Sequence, residues 1–318
     1  MDTQPDVWSL VSHYCLPVQP FLDMEGVTEI CINRFDDIFI ERHGRMVKVE
    51  AHFSDEFQLV NLVMQISHAL NQPCSADHHP ILDARLPDGS RVCAVLYPTS
   101  TKGTSLTIRV APKQRFTPAM LVANQMLTQD MLALLTQAIE DKANIVISGG
   151  TGSGKTTILS VLSQLIPIED RVITVEDTHE LHLLAPNSIH LEAPKRQVKG
   201  DHQHVDMAQL IKTTLRMKPD RILVGEIRDA QAAMAFLQAI NTGHRGTCTT
   251  LHANNPEDAI NRLQTLIATY QNFSFETIRQ LVMGNLDLLI HVEHIRGVGR
   301  KMTHLTRCLE GKMVHLYK

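Results

Sequence analysis

Residues 149–156 combine the residue types that hold the phosphates of a nucleotide. They read Gly-Gly-Thr-Gly-Ser-Gly-Lys-Thr. The glycines allow positive φ and a close approach of the backbone to phosphate oxygens. The N–H groups of such a loop converge on an anion at the start of the next helix. In this pattern Lys155 reaches the β- and γ-phosphates, and the Thr156 hydroxyl can ligate Mg²⁺. The candidate nucleotide-binding residues are Gly149, Gly150, Thr151, Gly152, Ser153, Gly154, Lys155, Thr156 and Thr157.

The segments on either side of this loop are those that a phosphate loop requires. Residues 143–148 form a short apolar, β-branched run, which predicts a strand. Residues 157–165 have helical spacing and end before Pro167. This context favours a nucleotide site over a structural glycine turn.

Two carboxylates follow a predicted strand at residues 171–175. Glu176 and Asp177 come directly after it, at the carboxyl edge where open α/β sheets place their ligands. The pair could hold Mg²⁺ through water. The alternative is that these carboxylates cap a helix or lie in a solvated turn.

Three further candidates for catalysis also lie at strand ends. Glu226 follows the apolar run 222–225 and could orient or deprotonate an attacking water. Arg228 could contact phosphate or pair with Glu176 or Asp177. His252 ends the predicted strand 246–251, where it could sense a γ-phosphate or be a structural histidine.

The elements around these residues predict two domains with different folds. Residues 1–111 contain alternating segments and a helix capped by Ser54, which indicates an α+β domain on an antiparallel sheet. Residues 112–127 include Pro112 and Pro118 and are predicted to be a linker. Residues 128–318 alternate strands and helices, which predicts an α/β domain with a parallel-rich sheet covered on both faces.

Composition excludes several classes of protein. The chain has 318 residues, 43% of them hydrophobic and 20% charged, with a net charge of −4. This balance argues against broad nucleic-acid binding. Lys195, Arg196 and Lys199 could form a local basic patch or lie in a solvated loop. We expect no signal peptide and no membrane span, so any membrane association would be peripheral and through a partner.

The cysteines and histidines show no metal-site spacing. The six cysteines are scattered and, as in the apolar surroundings of Cys31 and Cys93, are interpreted as reduced core residues. The pairs His78-His79 and His202-Gln-His204 lack the spacing of a metal site and are interpreted as surface histidines.

Four motifs in fixed order resemble those of the type II/type IV secretion ATPases. The phosphate loop resembles the Walker A motif, and the segment 173–178 resembles the Asp box. The segments 215–228 and 242–254 resemble the Walker B and His boxes. The compact length and the stretches 86–92 and 107–109 are similar to the hexameric traffic ATPases of type IV secretion and conjugation systems.

The resemblance implies properties that the residues alone do not show. It implies a RecA-like ATPase domain after a smaller N-terminal domain, a homo-hexamer, and ATP with Mg²⁺ as cofactors. It also implies that arginines of the first domain reach the phosphates. Arg109 matches best, Arg91 is a second candidate, and Arg85 is better interpreted as a surface arginine. Because Gly225 stands where Walker B motifs usually carry a metal-binding Asp, Mg²⁺ binding would fall to Thr156, Glu176 and Asp177.

The expected function is Mg²⁺-dependent ATP hydrolysis that powers substrate transfer or pilus assembly at the base of a bacterial type IV secretion or conjugation apparatus. The protein would be cytoplasmic and held at the inner membrane by secretion components, moving a protein or nucleoprotein substrate. Lys155, Glu226, Arg228, His252 and Arg109 are the expected catalytic residues. The alternatives are a type IV pilus or type II secretion motor, a RecA-like nucleic-acid motor, and an adaptor that binds ATP without hydrolysing it.

Overall fold

The computed structural model describes residues 7–111, 116–193, 205–270 and 273–317. The chain divides into two compact units, Met1–Arg115 and Phe116–Lys318. The basic cluster at 195–199 and the histidines at 202 and 204 lie outside the described residues. Within the described ranges, no helix is both long and apolar enough to cross a bilayer.

The first unit is built on a six-stranded sheet with the order β3-β2-β1-β6-β5-β4. All five strand pairs are antiparallel, as the alternating segments predict. The strands are β1 (Val27–Arg34), β2 (Asp37–Arg42), β3 (Arg45–Val49), β4 (Ile81–Arg85), β5 (Arg91–Val95) and β6 (Ser105–Arg109). The helices are α1 (Val7–Tyr14), α2 (Gln19–Asp23) and α3 (Glu56–Ala69).

Alternation along the strands of the first unit separates a core face from an exposed face. In β5, Val92 and Ala94 are buried whereas Cys93 is exposed, because successive side chains of a strand point to opposite faces. The interpretation of Cys93 as a core residue is therefore wrong. Helix α3 begins one residue later than predicted: the Asp55 carboxylate, not Ser54, caps it by accepting from the Gln58 N–H at 2.8 Å.

Part of the predicted linker belongs to the second unit. Within 112–127, the segment Pro118–Ala123 forms helix α4, capped by the Thr117 hydroxyl. Leu121 is 1% exposed and packs in the core of that unit. Proline at the first helical position starts a helix as readily as it marks a loop, which explains the difference.

The second unit is built on an eight-stranded sheet with the order β14-β13-β12-β7-β11-β10-β8-β9. The six strands from β12 to β9 in this order are parallel to one another. The strands β13 and β14 extend the sheet with antiparallel pairing. The strands are β7 (Ile145–Gly149), β8 (Val172–Glu176), β9 (Ser188–Glu192), β10 (Arg221–Ile227), β11 (Cys248–His252), β12 (Leu288–Ile295), β13 (Gly299–Leu309) and β14 (Lys312–Tyr317).

Helices cover both faces of this second sheet. Along β7, Ile145 and Ile147 join one apolar cluster while Val146 joins the other, as a strand buried on both faces requires. On the Ile145 side lie α4, α5 (Gln129–Glu140) and α6 (Lys155–Ser163). On the Val146 side lie α7 (Met207–Thr214), α8 (Ala230–Asn241), α9 (Pro256–Tyr270) and α10 (Phe275–Asn285).

Candidate functional site

The phosphate loop connects β7 to α6 at the carboxyl edge of the sheet. Gly149, Gly152 and Gly154 have φ of 156°, 70° and 102°, conformations that side-chain-bearing residues rarely adopt. A Cβ at Gly149 would collide with the carbonyl oxygen of Val292 on the neighbouring strand β12. The loop is therefore shaped by backbone conformations that glycine supplies.

The interior of the loop leaves space for a ligand. A Cβ at Gly150 or Gly152 would meet no atom within 4 Å. The Ser153 hydroxyl donates to the Gly150 carbonyl at 2.9 Å and braces the turn. Thr156 and Thr157 lie half-buried in the first turn of α6. The predicted nucleotide-binding residues thus lie on one continuous loop and helix start.

The Lys155 ammonium is folded back onto the loop. Its Nζ donates to the carbonyl oxygens of Gly149 at 3.1 Å and Gly150 at 2.8 Å. It also lies 3.3 Å from Nδ1 of His252. Burial lowers the pKa of Lys155, while the Glu226 carboxylate raises it. Lys155 is 7% exposed, so the carbonyl acceptors compensate the loss of hydration of its charge.

The Glu226 carboxylate lies at the centre of a cluster formed by three strand ends. Its Oε2 accepts from Nε and Nη2 of Arg228 at 2.8 and 2.7 Å. Nη1 of the same guanidinium lies 3.1 Å from Oδ2 of Asp177. The structure therefore brings together Asp177 after β8, Glu226 and Arg228 at the end of β10, and His252 at the end of β11.

The second oxygen of Glu226 has no hydrogen-bond partner. Oε1 is buried and lies 2.7 Å from Nε2 of His252, but the approach does not have the geometry of a hydrogen bond. Burial lowers the pKa of His252, and the Lys155 ammonium lowers it further, against the opposing effect of Glu226. A neutral imidazole therefore faces a carboxylate oxygen that can still accept a proton or a hydrogen bond.

Glu176 is held within its own loop. It is 2% exposed, and its Oε1 accepts from the N–H groups of Glu180 and Leu181 at 2.8 and 3.0 Å. Its Oε2 lies 3.1 Å from Nδ1 of His179. Both oxygens are thus engaged by residues that follow β8. The two residues of the predicted Glu176-Asp177 pair thus have different contacts, because only Asp177 joins the Arg228 cluster.

Arg300 contacts the phosphate loop and was not among the residues that the sequence suggested. Its Nε donates to the Gly152 carbonyl at 2.9 Å, reaching across from the start of β13. It follows the turn that joins β12 to β13. A lone arginine beside two glycines gives no local signal that it reaches a loop 148 residues earlier.

The three arginine candidates of the first unit form a row across its sheet. Arg85 pairs with Arg91 on the neighbouring strand, and Arg91 pairs with Arg109 on the next. Paired residues of antiparallel strands share a face; the residues adjacent to them, Ala84, Val92 and Ile108, point into the core. The Arg109 side chain is 57% exposed, and its Nε lies 3.7 Å from Oε1 of Glu29. Like charges in such a row favour an anion nearby.

Comparisons with known proteins agree on one family. The family described as Type II/IV secretion system protein matches residues 14–290. The chain is 34% identical over 284 residues to "Conjugal transfer protein TrbB" of Rhizobium radiobacter, covering 88% of this chain and 83% of that protein. It is 32% identical over 324 residues to "Type IV secretion system protein VirB11" of Brucella suis, covering 93% and 89%.

Solved structures give the same result. The VirB11 ATPase of the Brucella suis type IV secretion system, crystallised in complex with sulphate, is similar with a TM-score of 0.51 at 30% identity, covering 93% of this chain and 97% of that one. The Legionella pneumophila ATPase DotB shares the fold, with a TM-score of 0.65 at 21% identity, covering 95% and 80%. The chain belongs to the type II/IV secretion system protein family, and it is an ATPase.

Proposed function

We propose that this ATPase depends on Mg²⁺ and powers substrate transfer or pilus assembly at the cytoplasmic base of a type IV secretion or conjugation apparatus. Its second unit would serve as a RecA-like motor domain. The names of its relatives, a conjugal transfer protein and a type IV secretion protein, support this choice of apparatus. The proposal that Glu226 takes part in hydrolysis rests on its Oε1, which is buried and has no hydrogen-bond partner.

Nucleotide binding would replace the internal contacts of Lys155. The ammonium now donates to two loop carbonyls; phosphate oxygens are stronger, charged acceptors for the same donor. Gly150 and Gly152 leave the space that a phosphate chain needs. The lysine would then hold the β- and γ-phosphates while the loop N–H groups surround them.

Glu226 would orient the attacking water. One of its oxygens is fixed by Arg228, which leaves Oε1 to accept a water proton. His252, held neutral by its lowered pKa, would donate from a ring nitrogen to the γ-phosphate. Arg228 would hold the carboxylate in place and tie it to Asp177.

The residues beside the phosphate loop fit a magnesium ion. Mg²⁺ prefers oxygen ligands and keeps several waters, and Thr156 and Asp177 offer a hydroxyl and a carboxylate. Asp177, whose carboxylate lies beside Arg228, would take this role through water, whereas Glu176 faces the loop that follows β8. When bound, Mg²⁺ would neutralise charge that develops on the phosphates.

The arginine row of the first unit would complete the nucleotide site. Arg91 and Arg109 would contact phosphates, as guanidinium groups do bidentately, with Arg85 at the far end of the row. The active assembly would be a homo-hexamer that binds inner-membrane secretion components and acts on a protein or nucleoprotein substrate. Imaging of particles with and without ATP tests the assembly: six-fold rings are expected, and a strict monomer in both conditions would exclude it.

Phosphate release and nucleotide binding, measured separately, test the catalytic assignment. Lys155→Ala should lose both hydrolysis and tight ATP binding. Glu226→Gln should bind ATP normally and lose hydrolysis by about a hundredfold or more. Glu140→Gln, an exposed glutamate at the end of α5, is the matched control. Hydrolysis at the native rate by Glu226→Gln would refute the role of Glu226.

A further inference from the structure

A buried glutamate and two histidines meet where β8, the loop after it and β9 come together. Glu176 ends β8, His179 lies in the loop, and His190 lies in β9. Each side chain offers one ligand atom, and these atoms all lie within 4.8 Å of one another. The cluster is separate from the phosphate loop and is not used in the hydrolysis proposed above.

The Glu176 carboxylate is held in one orientation, as a metal ligand requires. Two backbone N–H groups hold its Oε1, which fixes the plane of the carboxylate and directs Oε2 toward the histidines. Oε2 lies 3.1 Å from Nδ1 of His179. Two ligands on one tetrahedral Zn²⁺ are separated by about 3.3 Å, given metal–ligand distances of about 2.0–2.1 Å. This pair of atoms is therefore already near the spacing that one ion requires.

The His190 ring is oriented by a neighbour. Its Nδ1 lies 3.0 Å from the Thr174 hydroxyl, on the residue paired with it across the β8–β9 ladder. Metal-binding histidines commonly use one ring nitrogen for such a bond, which fixes the other toward the metal. The rings of His179 and His190 have centroids 4.3 Å apart, so both can face one point.

The donor set selects the kind of ion. Imidazole nitrogens suit Zn²⁺ and its first-row neighbours, whereas Mg²⁺ is bound by oxygen. We propose that Glu176, His179 and His190 bind a divalent transition-metal ion of the Zn²⁺ type, which ties the edge strand β9 to the end of β8. A water, or His182, whose ring centroid lies 5.6 Å from that of His179, would complete a tetrahedral site.

Such an ion would fix the start of the loop that leads away from the nucleotide site. Asp177 follows Glu176 directly and pairs with Arg228. Metal binding would therefore hold the β8 end in its present position without touching phosphate. Because an ion that binds only the folded chain stabilises it, we expect saturating Zn²⁺ to raise the Tm of the full chain by several degrees.

Titration of the chelator-treated full chain with Zn²⁺, in excess Mg²⁺, tests the site. Calorimetry should show one tight site per chain. Co²⁺ should give the visible absorption of a tetrahedral N,O-ligated ion. His179→Gln and His190→Gln should each weaken Zn²⁺ binding at least tenfold and abolish the Co²⁺ band. His78→Gln, an exposed histidine of the first unit, should bind as the unchanged chain does.

Several outcomes would overturn the proposal. Wild-type chain that binds no Zn²⁺ tightly, or variants that bind it as well as wild type does, would exclude the site. Circular dichroism of each variant checks folding, and Glu176→Gln provides a second route if a histidine variant unfolds. His179 and His190 have no part in the hydrolysis proposed above, so Mg²⁺-dependent hydrolysis by their variants can be measured on the same samples, and failure of the zinc site is distinguishable from failure of the proposed function.

Discussion

Nε2 of His252 lies 2.7 Å from Oε1 of Glu226, although no hydrogen bond joins them. The histidine ends β11 and the glutamate lies near the end of β10, two strands that are adjacent and parallel. The two atoms are too close for a water to lie between them, but a water beside a γ-phosphate could contact both, with the carboxylate oxygen as its acceptor.

Removal of the His252 ring should therefore impair turnover more than binding. We expect His252→Ala to lower kcat by about a hundredfold, the order seen when one transition-state donor is removed, with little change in the Kd for ATP. His252→Asn, which keeps a donor, should retain part of the activity. Steady-state hydrolysis and nucleotide titration give both quantities. An unchanged kcat for the alanine variant would assign His252 a structural role.

Loss of the Arg300 contact should weaken nucleotide binding. Without its donor to the Gly152 carbonyl, the empty loop samples more conformations, and ordering it on binding costs more. An exposed charged hydrogen bond worth about 1 kcal/mol corresponds to a KM for ATP several-fold higher. We expect this of Arg300→Ala, with kcat nearly unchanged. Arg296→Ala, on the same hairpin, is the control and should leave KM as it is.

Arg221 has a buried guanidinium. Replacing Arg221 and removing its partner Asp170 should lower the free energy of unfolding by different amounts. It is 1% exposed; Nε lies 2.6 Å from Oδ2 of Asp170, and Nη1 donates to the Ile139 carbonyl at 2.6 Å. Asp170→Ala leaves the charge buried without its carboxylate and should cost about 3–5 kcal/mol of unfolding free energy. Arg221→Met should cost less. Urea denaturation measures both, and the reverse order would contradict this account.

Buried His291 should make the fold less stable in mild acid. Its pKa is lowered by burial, and its Nδ1 lies 2.8 Å from the Ser148 hydroxyl. In the unfolded chain a histidine titrates near pH ~6.5. Between the folded and unfolded pKa values the unfolded chain binds more protons, so the free energy of unfolding falls as pH falls.

Denaturation at several pH values between neutral and mildly acidic checks this dependence. His291→Asn keeps a polar atom near Nδ1 but cannot titrate, so its unfolding free energy should fall less steeply with acid than that of the wild type. Equal slopes for the two chains would show that His291 does not contribute. His190, whose pKa burial also lowers, supplies a slope of the same sign in both chains.

The sequence predicted those features that depend on local pattern. The phosphate loop, its flanking strand and helix, and the acids and histidine at strand ends could be located because parallel strands place their carboxyl ends at one edge. The antiparallel character of the first sheet followed from period-two alternation. The strands β4, β9, β13 and β14 were not predicted, because they are stabilised by pairing with strands already in the sheet rather than by a strong pattern of their own.

The parts of the site that escaped prediction depend on contacts distant in sequence or on backbone geometry. Arg300 reaches Gly152 only because β12 lies beside β7. Glu176 turns toward the N–H groups of Glu180 and Leu181, a loop conformation that residue types alone do not specify. The His179–His190 proximity likewise results from the β8–β9 register, not from a spacing typical of metal ligands.

The contacts of Lys155 with its own loop bear on the affinity for ATP. A buried ammonium that donates to carbonyl oxygens does not carry the cost of an unpaired buried charge. A phosphate that takes these hydrogen bonds must therefore replace two carbonyl acceptors of Lys155. The contribution of Lys155 to ATP affinity is then the difference between its bonds to phosphate and its bonds to the loop carbonyls.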